Sequence, residues 1–114
     1  MSKIVLLAED ETVLRNLQTR ILQKHGYTVI SVENGTQALD VLEGTQIDIA
    51  ILDVNMGTGP SGLDVLAKIK DAHPNVRTIL SSGDVDEIYS HDKSQQPDVY
   101  LAKPFRMTVL IDLL

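Results

Sequence analysis

The chain has 114 residues, 43% of them apolar and 23% charged, a single-domain length and a globular mixture that exclude disordered and fibrous classes. A formal net charge of -6, with ten Lys and Arg that form no basic run, argues against a nucleic-acid backbone as partner. There is no cysteine for disulfides or thiolate metal sites. No apolar segment approaches the ~20 residues that span a bilayer, so a cytoplasmic protein without membrane contact is expected.

The first element is the apolar run Ile4 to Ala8, which reads as a buried strand. It passes straight into Glu9, Asp10 and Glu11, too short and too acidic for a signal peptide. Val13, Leu14, Leu17, Ile21 and Leu22 then follow the rhythm of one helix face, and Gly26 marks its stop. Tyr27 to Val32 is a second strand, and Ala38, Leu39 and Leu42 make a second helix ending at Gly44. Ile47 to Leu52 is a third strand that delivers Asp53 at its end. Leu63, Leu66 and Ile69 define a third helix, entered after Ser61 and ended near Pro74. Val76 to Leu80 is a fourth strand, followed by Ser82 and Gly83. From Asp84 to Gln96 only Val85, Ile88 and Tyr89 are apolar enough to dock, which predicts a short, mobile fourth helix. Val99 to Ala102 is a fifth strand that ends at Lys103. A fifth helix starts near Arg106 with Val109, Leu110 and Leu113, and the sequence stops after about two turns of 3.6 residues, so a trimmed fifth helix is expected.

Five strands alternating with five helices predict one α/β domain over residues 1–114, a doubly wound parallel sheet of flavodoxin-like (βα)5 type with strand order 2-1-3-4-5. In such sheets ligands bind in the crevice at the C-terminal strand ends. Those ends carry Glu9 and Asp10, Asp53, and Lys103. Like charges about 4 Å apart repel by roughly 4 kcal/mol at an effective dielectric near 20, so the three acids call for a divalent cation.

Taken singly, each residue has a plainer reading. Glu9, Asp10 and Glu11 suit a helix N-terminus, Asp53 a turn, and Ser82 a helix cap. Lys103 is by default solvated, Tyr100 a core residue and Arg15 a solvent-facing helix residue. His25, His73 and His91 are scattered near helix ends and are assigned no role. Only the joint pattern overturns these defaults. Glu9 and Asp10 are followed five residues later by Arg15. Asp53 lies in Ile51-Leu52-Asp53-Val54-Asn55-Met56, Ser82 precedes Gly83, and Tyr100 precedes Lys103-Pro104-Phe105. In this order and spacing the motifs resemble the receiver domain of two-component response regulators, from Lys3 to Leu114.

The resemblance implies Mg2+-dependent transfer of a phosphoryl group to Asp53 from a histidine kinase or histidine phosphotransfer protein. It implies metal ligation by Asp10 and Asp53, by Glu9 through water, and by the Asn55 backbone carbonyl. Lys103 and Ser82 would hold phosphoryl oxygens, and Ser82 and Tyr100 would form the switch that remodels the face of helix 4, strand 5 and helix 5. Asn55 and Asp84 match positions that orient a hydrolytic water. Such a chain takes part in its own phosphorylation and dephosphorylation without being a conventional enzyme. Its output partner is not written in the sequence, and a homodimer through that same face is an option the family uses. The Lys103-Pro104 bond is often cis in the family.

Two rival readings remain. One is a receiver-like interaction module that is never phosphorylated. The other is a dinucleotide site at Gly57-Thr58-Gly59-Pro60-Ser61-Gly62, which spells G-x-G-x-x-G with Asp84 beyond it. Against the latter, Pro60 removes an N–H from the turn that should cradle a pyrophosphate, and the turn follows the third strand. This turn is also where the sequence departs from the receiver pattern. Met56-Gly57 replaces the usual Met-Pro, and the stretch from Asp53 to Gly62 is one residue longer, which predicts a looser loop beside the site. Glu9 in place of the commoner aspartate is a milder departure.

Overall fold

The computed structural model describes residues 2–83 and 96–114. The fourth predicted helix, with Asp84, Val85, Ile88, Tyr89 and His91, lies outside the described residues. In chain order the elements are β1 (Ile4–Ala8), α1 (Thr12–Lys24), β2 (Thr28–Val32), α2 (Gly35–Gly44), β3 (Ile49–Asp53), α3 (Gly62–Ala72), β4 (Arg77–Ser82), β5 (Val99–Ala102) and a C-terminal helix (Met107–Asp112). All strand pairs are parallel and the sheet order is β2-β1-β3-β4-β5, the flavodoxin-like winding that the alternation predicts. None of the described helices is long and apolar enough to cross a membrane.

The continuous apolar character of the strands follows from burial on both faces. Because side chains alternate across a strand, Leu6, Ala8, Ala50, Leu52 and Leu80 join the cluster under α2 and α3. Val5, Leu7, Ile49, Ile51, Ile79 and Leu101 join the opposite cluster with Leu22 of α1 and Leu110 of the C-terminal helix. The central strands therefore lie between two apolar layers and hold their C-terminal ends in a common edge.

The packing of α1 corrects the expected face. Val13 and Leu17 are 76% and 50% exposed, while Gln18 and Leu22 are buried. Two stripes of i, i+4, i+8 spacing overlap on this helix, and the one through Leu14, Gln18 and Leu22 faces the sheet although it contains a polar residue. Its rotation is coupled to the end of β1, because the Arg15 guanidinium donates from Nη1 to the Glu9 carbonyl oxygen at 2.9 Å. Arg15 is therefore half-buried and engaged, not solvent-facing as its default reading had it.

Helix starts are capped by their own sequence. Asn34 accepts from the Gln37 N–H at 2.8 Å, and Ser61 and Asp64 form a reciprocal capping box at the head of α3. At the opposite edge of the sheet, aspartates extend the ladders. Asp48 accepts from the Ile4 N–H at 2.7 Å. Asp98 accepts from the Thr78 N–H at 2.8 Å, and the Thr78 hydroxyl accepts in turn from the Asp98 N–H at 3.0 Å. Thr78 is fully buried, so this pair docks the start of β5 against β4.

Partial burial alone would push the Asp98 carboxyl up, but the Thr78 hydrogen bonds and the nearby Lys70 and Arg77 charges outweigh it and hold it below its ordinary value. Asp98→Ala leaves the buried Thr78 N–H unpaired and is expected to cost about 1–3 kcal/mol, read as a lower urea midpoint at pH 7. Since the ionised form is the one favoured by folding, this advantage is present above a pH of about 4 and lost as the pH falls through the depressed folded value. The wild type and Asp98→Ala curves should converge in acid.

Candidate functional site

The C-terminal ends of β1, β3, β4 and β5 meet in one cleft. Glu9 follows β1 directly and stays in register by donating its N–H to the Val32 carbonyl at 3.1 Å. Arg15 holds the same corner from below through the Glu9 carbonyl and, more loosely at 3.5 Å, the Asp10 carbonyl. Asp53 is the last residue of β3, still inside the ladder opposite Ser81, rather than the first residue past the strand. Ser82 ends β4 and is buried, and its carbonyl accepts from the Lys103 N–H at 2.8 Å, which fixes where the lysine leaves β5.

The centre of the cleft is an ion triad. Lys103 Nζ lies 2.9 Å from Glu9 Oε2 and 2.9 Å from Asp53 Oδ2. Glu9 and Asp53 are buried, with side chains only 3% and 8% exposed, so the ammonium sits between two dehydrated carboxylates. Burial pushes the Glu9 carboxyl up, and the charge of Asp53 adds to this against the opposing pull of Lys103. Partial burial by itself would depress the Lys103 ammonium, but its hydrogen bonds to Asp53 and Glu9 win and hold it above the ordinary lysine value.

Asp10 is the exposed member of the cluster. One carboxylate oxygen from each of Glu9, Asp10 and Asp53 can be chosen so that all three lie within 4.8 Å of one another. Three carboxylates then face a single ammonium, a hard-oxygen set that suits a small divalent cation. Asn55 stands at the rim, exposed, with its N–H 3.4 Å from Asp53 Oδ1. Tyr100, half-buried in β5, packs against the core cluster under α2 and α3. The Lys103-Pro104 peptide is cis. Asp84 lies outside the described residues.

The longer glycine-rich loop is tied at both ends. Met56 is buried, and the Gly62 N–H donates to the Val54 carbonyl at 3.0 Å. A side chain at Gly62 would collide with the Asp53 carbonyl, and one at Gly35 would collide with that of Pro60. Within the loop, Gly57 and Gly59 adopt φ of 78° and 87°, which glycine takes without strain. The same geometry weighs against a dinucleotide: the Ser61 N–H is donated to Asp64 Oδ2 at 2.9 Å and the Asp64 N–H to Ser61 Oγ at 3.2 Å, so amides that would meet a pyrophosphate serve the capping box.

Comparison with known proteins agrees with this geometry. Residues 5–114 match the family model described as the response regulator receiver domain. The chain is 33% identical to the regulatory protein VanR of Enterococcus faecium over 97% of its length, spanning 48% of that protein. It is 33% identical to the sensor kinase CckA of Brucella abortus over 96% of its length but only 12% of that protein. Against sporulation initiation phosphotransferase F of Bacillus subtilis it is 29% identical, covering 98% of this chain and 90% of that one. Among solved structures, the response regulator TrrA of Thermotoga maritima, in complex with Mg(2+)-BeF, aligns with a TM-score of 0.87 at 32% identity over 97% of this chain and 95% of that one. A CheY-like receiver domain from Methanospirillum hungatei shares the fold, with a TM-score of 0.90 at 22% identity over 99% and 90% of the two chains.

Replacing Lys103 by Met removes the one cation that offsets Glu9 and Asp53 in the described cleft. Leaving buried carboxylates uncompensated costs about 3–5 kcal/mol, and the partial exposure of this lysine places the expected loss nearer about 2–3 kcal/mol. Thermal unfolding at pH 7 should show it. In the wild type, the favourable lysine charge is fully present below about pH 10.4 and is lost as the pH rises through the elevated folded value.

Proposed function

The chain belongs to the response regulator receiver domain family, the phosphoacceptor module of two-component phosphorelay signalling, and from that premise we propose that Asp53 accepts the phosphoryl group. The observation that carries the assignment is the position of its carboxylate, within 2.9 Å of Lys103 and inside the cluster with Glu9 and Asp10. Of the two buried carboxylates bound by the lysine, Asp53 is the one held inside its strand, as the last residue of β3, whereas Glu9 lies one residue past β1.

Phosphoryl transfer is mostly positioning and neutralisation of charge. In this reading an Asp53 carboxylate oxygen attacks the phosphorus of a phosphohistidine on a kinase or phosphotransfer protein. The new O–P bond forms as the N–P bond breaks, and the imidazole leaves with its electron pair and takes a proton from solvent. Mg2+ is the cation that best fits one or two carboxylates with phosphate oxygens, and it would be held by the acidic group of Glu9, Asp10 and Asp53 together with the Asn55 backbone carbonyl. When bound, it would withdraw charge from the transferring group. Lys103 offsets the charge on another phosphoryl oxygen as a point charge, and the Ser82 hydroxyl donates to a third.

Movement of Ser82 toward the phosphoryl group lets Tyr100 turn inward, which changes the face around β5 and the C-terminal helix where an output partner or a second copy docks. Asn55, with Asp84 on sequence grounds, orients the water that later hydrolyses the acyl phosphate. The phosphodonor approaches over the exposed Val13 and Leu17 of α1, beside a groove of about 290 Å3 that runs past Leu14, Gln18 and Phe105 to Lys103. Because the chain spans about half or less of the first two curated relatives it matches, the output of any whole protein is part of this proposal.

Incubation with a small-molecule phosphodonor and Mg2+ should add one phosphoryl mass to the intact protein, and none to Asp53→Asn or after chelation of the metal. An unchanged mass for the wild type would favour the unphosphorylated interaction module, and equal labelling of Asp53→Asn would move the acceptor elsewhere. Asn55→Ala should lengthen the phosphoryl lifetime several-fold, measured as loss of the added mass with time.

A further inference from the structure

One buried group on α1 has no use in the phosphoacceptor chemistry. Gln18 stands between Leu14 and Leu22 on the stripe that faces the sheet, only 2% exposed, and no other described residue hydrogen-bonds its side-chain amide. Every fully enclosed side-chain nitrogen and oxygen among the described residues is paired, so the Gln18 amide opens where its side chain joins the wall of the groove of about 290 Å3 that runs to Lys103. We propose that Gln18 is a specificity-determining residue for the phosphodonor protein, pairing in that groove with an amide that the donor inserts. This rests on the reading of Asp53 as the phosphoacceptor.

Three observations carry it. The first is energetic: an amide held away from water without a partner destabilises the fold, and at this place in a leucine stripe an apolar side chain would pack without that cost. The second is chemical. Leu14, Leu17, Phe105 and Met107 give the groove apolar walls, and Glu11 and Lys103 are its charged members. Gln18 adds a neutral group that both donates and accepts, whose complement is one N–H and one C=O on an aliphatic body. The third is positional: Lys103 forms part of the groove and its Nζ lies 2.9 Å from Asp53 Oδ2, so a protein that delivers a phosphoryl group to Asp53 covers the groove as it does so. A donor with only apolar surface there seals Gln18 unpaired, whereas one that brings an amide satisfies it. That difference selects between donors.

Gln18→Met, of similar length but without the amide, is expected to raise the urea midpoint; a lower midpoint overturns the inference, because the amide would then already be paired, by ordered water alone. On the wild type, N-isobutylacetamide and its ester analogue isobutyl acetate serve as probes, read through the side-chain NH2 signals of 15N-labelled glutamine. The Gln18 signal should shift with the amide, which should bind about fivefold more tightly than the ester, the worth of one net hydrogen bond, and Gln18→Met should lose the preference. An unmoved Gln18 signal, or equal affinities in the wild type, refutes the pairing. The protein donor is whichever of a panel of autophosphorylated histidine kinases labels Asp53 fastest. Gln18→Met should raise KM for that kinase about tenfold with kcat little changed, the pattern of lost uniform binding. Labelling by a small-molecule phosphodonor guards the premise: a wild type that takes up no phosphoryl mass defeats the phosphoacceptor reading, whereas normal uptake with an unchanged KM defeats only the role of Gln18 in donor selection.

Discussion

The burial of two carboxylates around one ammonium is the constraint on which the rest of this molecule turns. Glu9 comes from the end of β1, Asp53 from β3 and Lys103 from β5, so the triad ties together strands that are distant in sequence. With both acids ionised, the triad carries one net negative charge. A cluster with three acids and one base is poised for a further cation, and the exposed carboxylate of Asp10 is where one can enter.

Much of the surrounding structure serves to hold that balance in place. Two apolar layers clamp the sheet from either side, which removes freedom from the strand ends. Arg15 spends its guanidinium on the backbone carbonyls of Glu9 and Asp10, fixing the acidic corner without neutralising its side chains. Gly62 allows α3 to start directly against the Asp53 carbonyl, and Gly35 lets Pro60 lie on the head of α2. The positive-φ glycines of the intervening loop, Gly57 and Gly59, lie away from Asp53.

The relatives place this arrangement in a phosphorelay, and the geometry indicates how the module divides its labour. Buried Glu9 and Asp53 pair with Lys103, while Asp10 stays exposed. The stripe of Val13 and Leu17 is unburied although apolar, and faces away from the core. Polar Gln18 takes the inward place on α1 because the connection from β1 sets the rotation of the helix before apolar content can.

The sequence by itself determined the alternation of strands and helices, their parallel winding and the four charged residues of the cleft. Continuous apolar runs, helix stops and residues at strand ends are local signals that do not depend on distant partners. It also carried the joint motif that resembles a receiver. What only the tertiary structure decided were the pairings. Nothing in the spacing could show that Glu9 would bind Lys103 directly, that Arg15 would turn inward to two carbonyls, or that Gly35 would accept the loop around Pro60. Each of these depends on distances between segments far apart in the chain, which are set by sheet register and packing, and register is a property of the whole fold and not of any one segment.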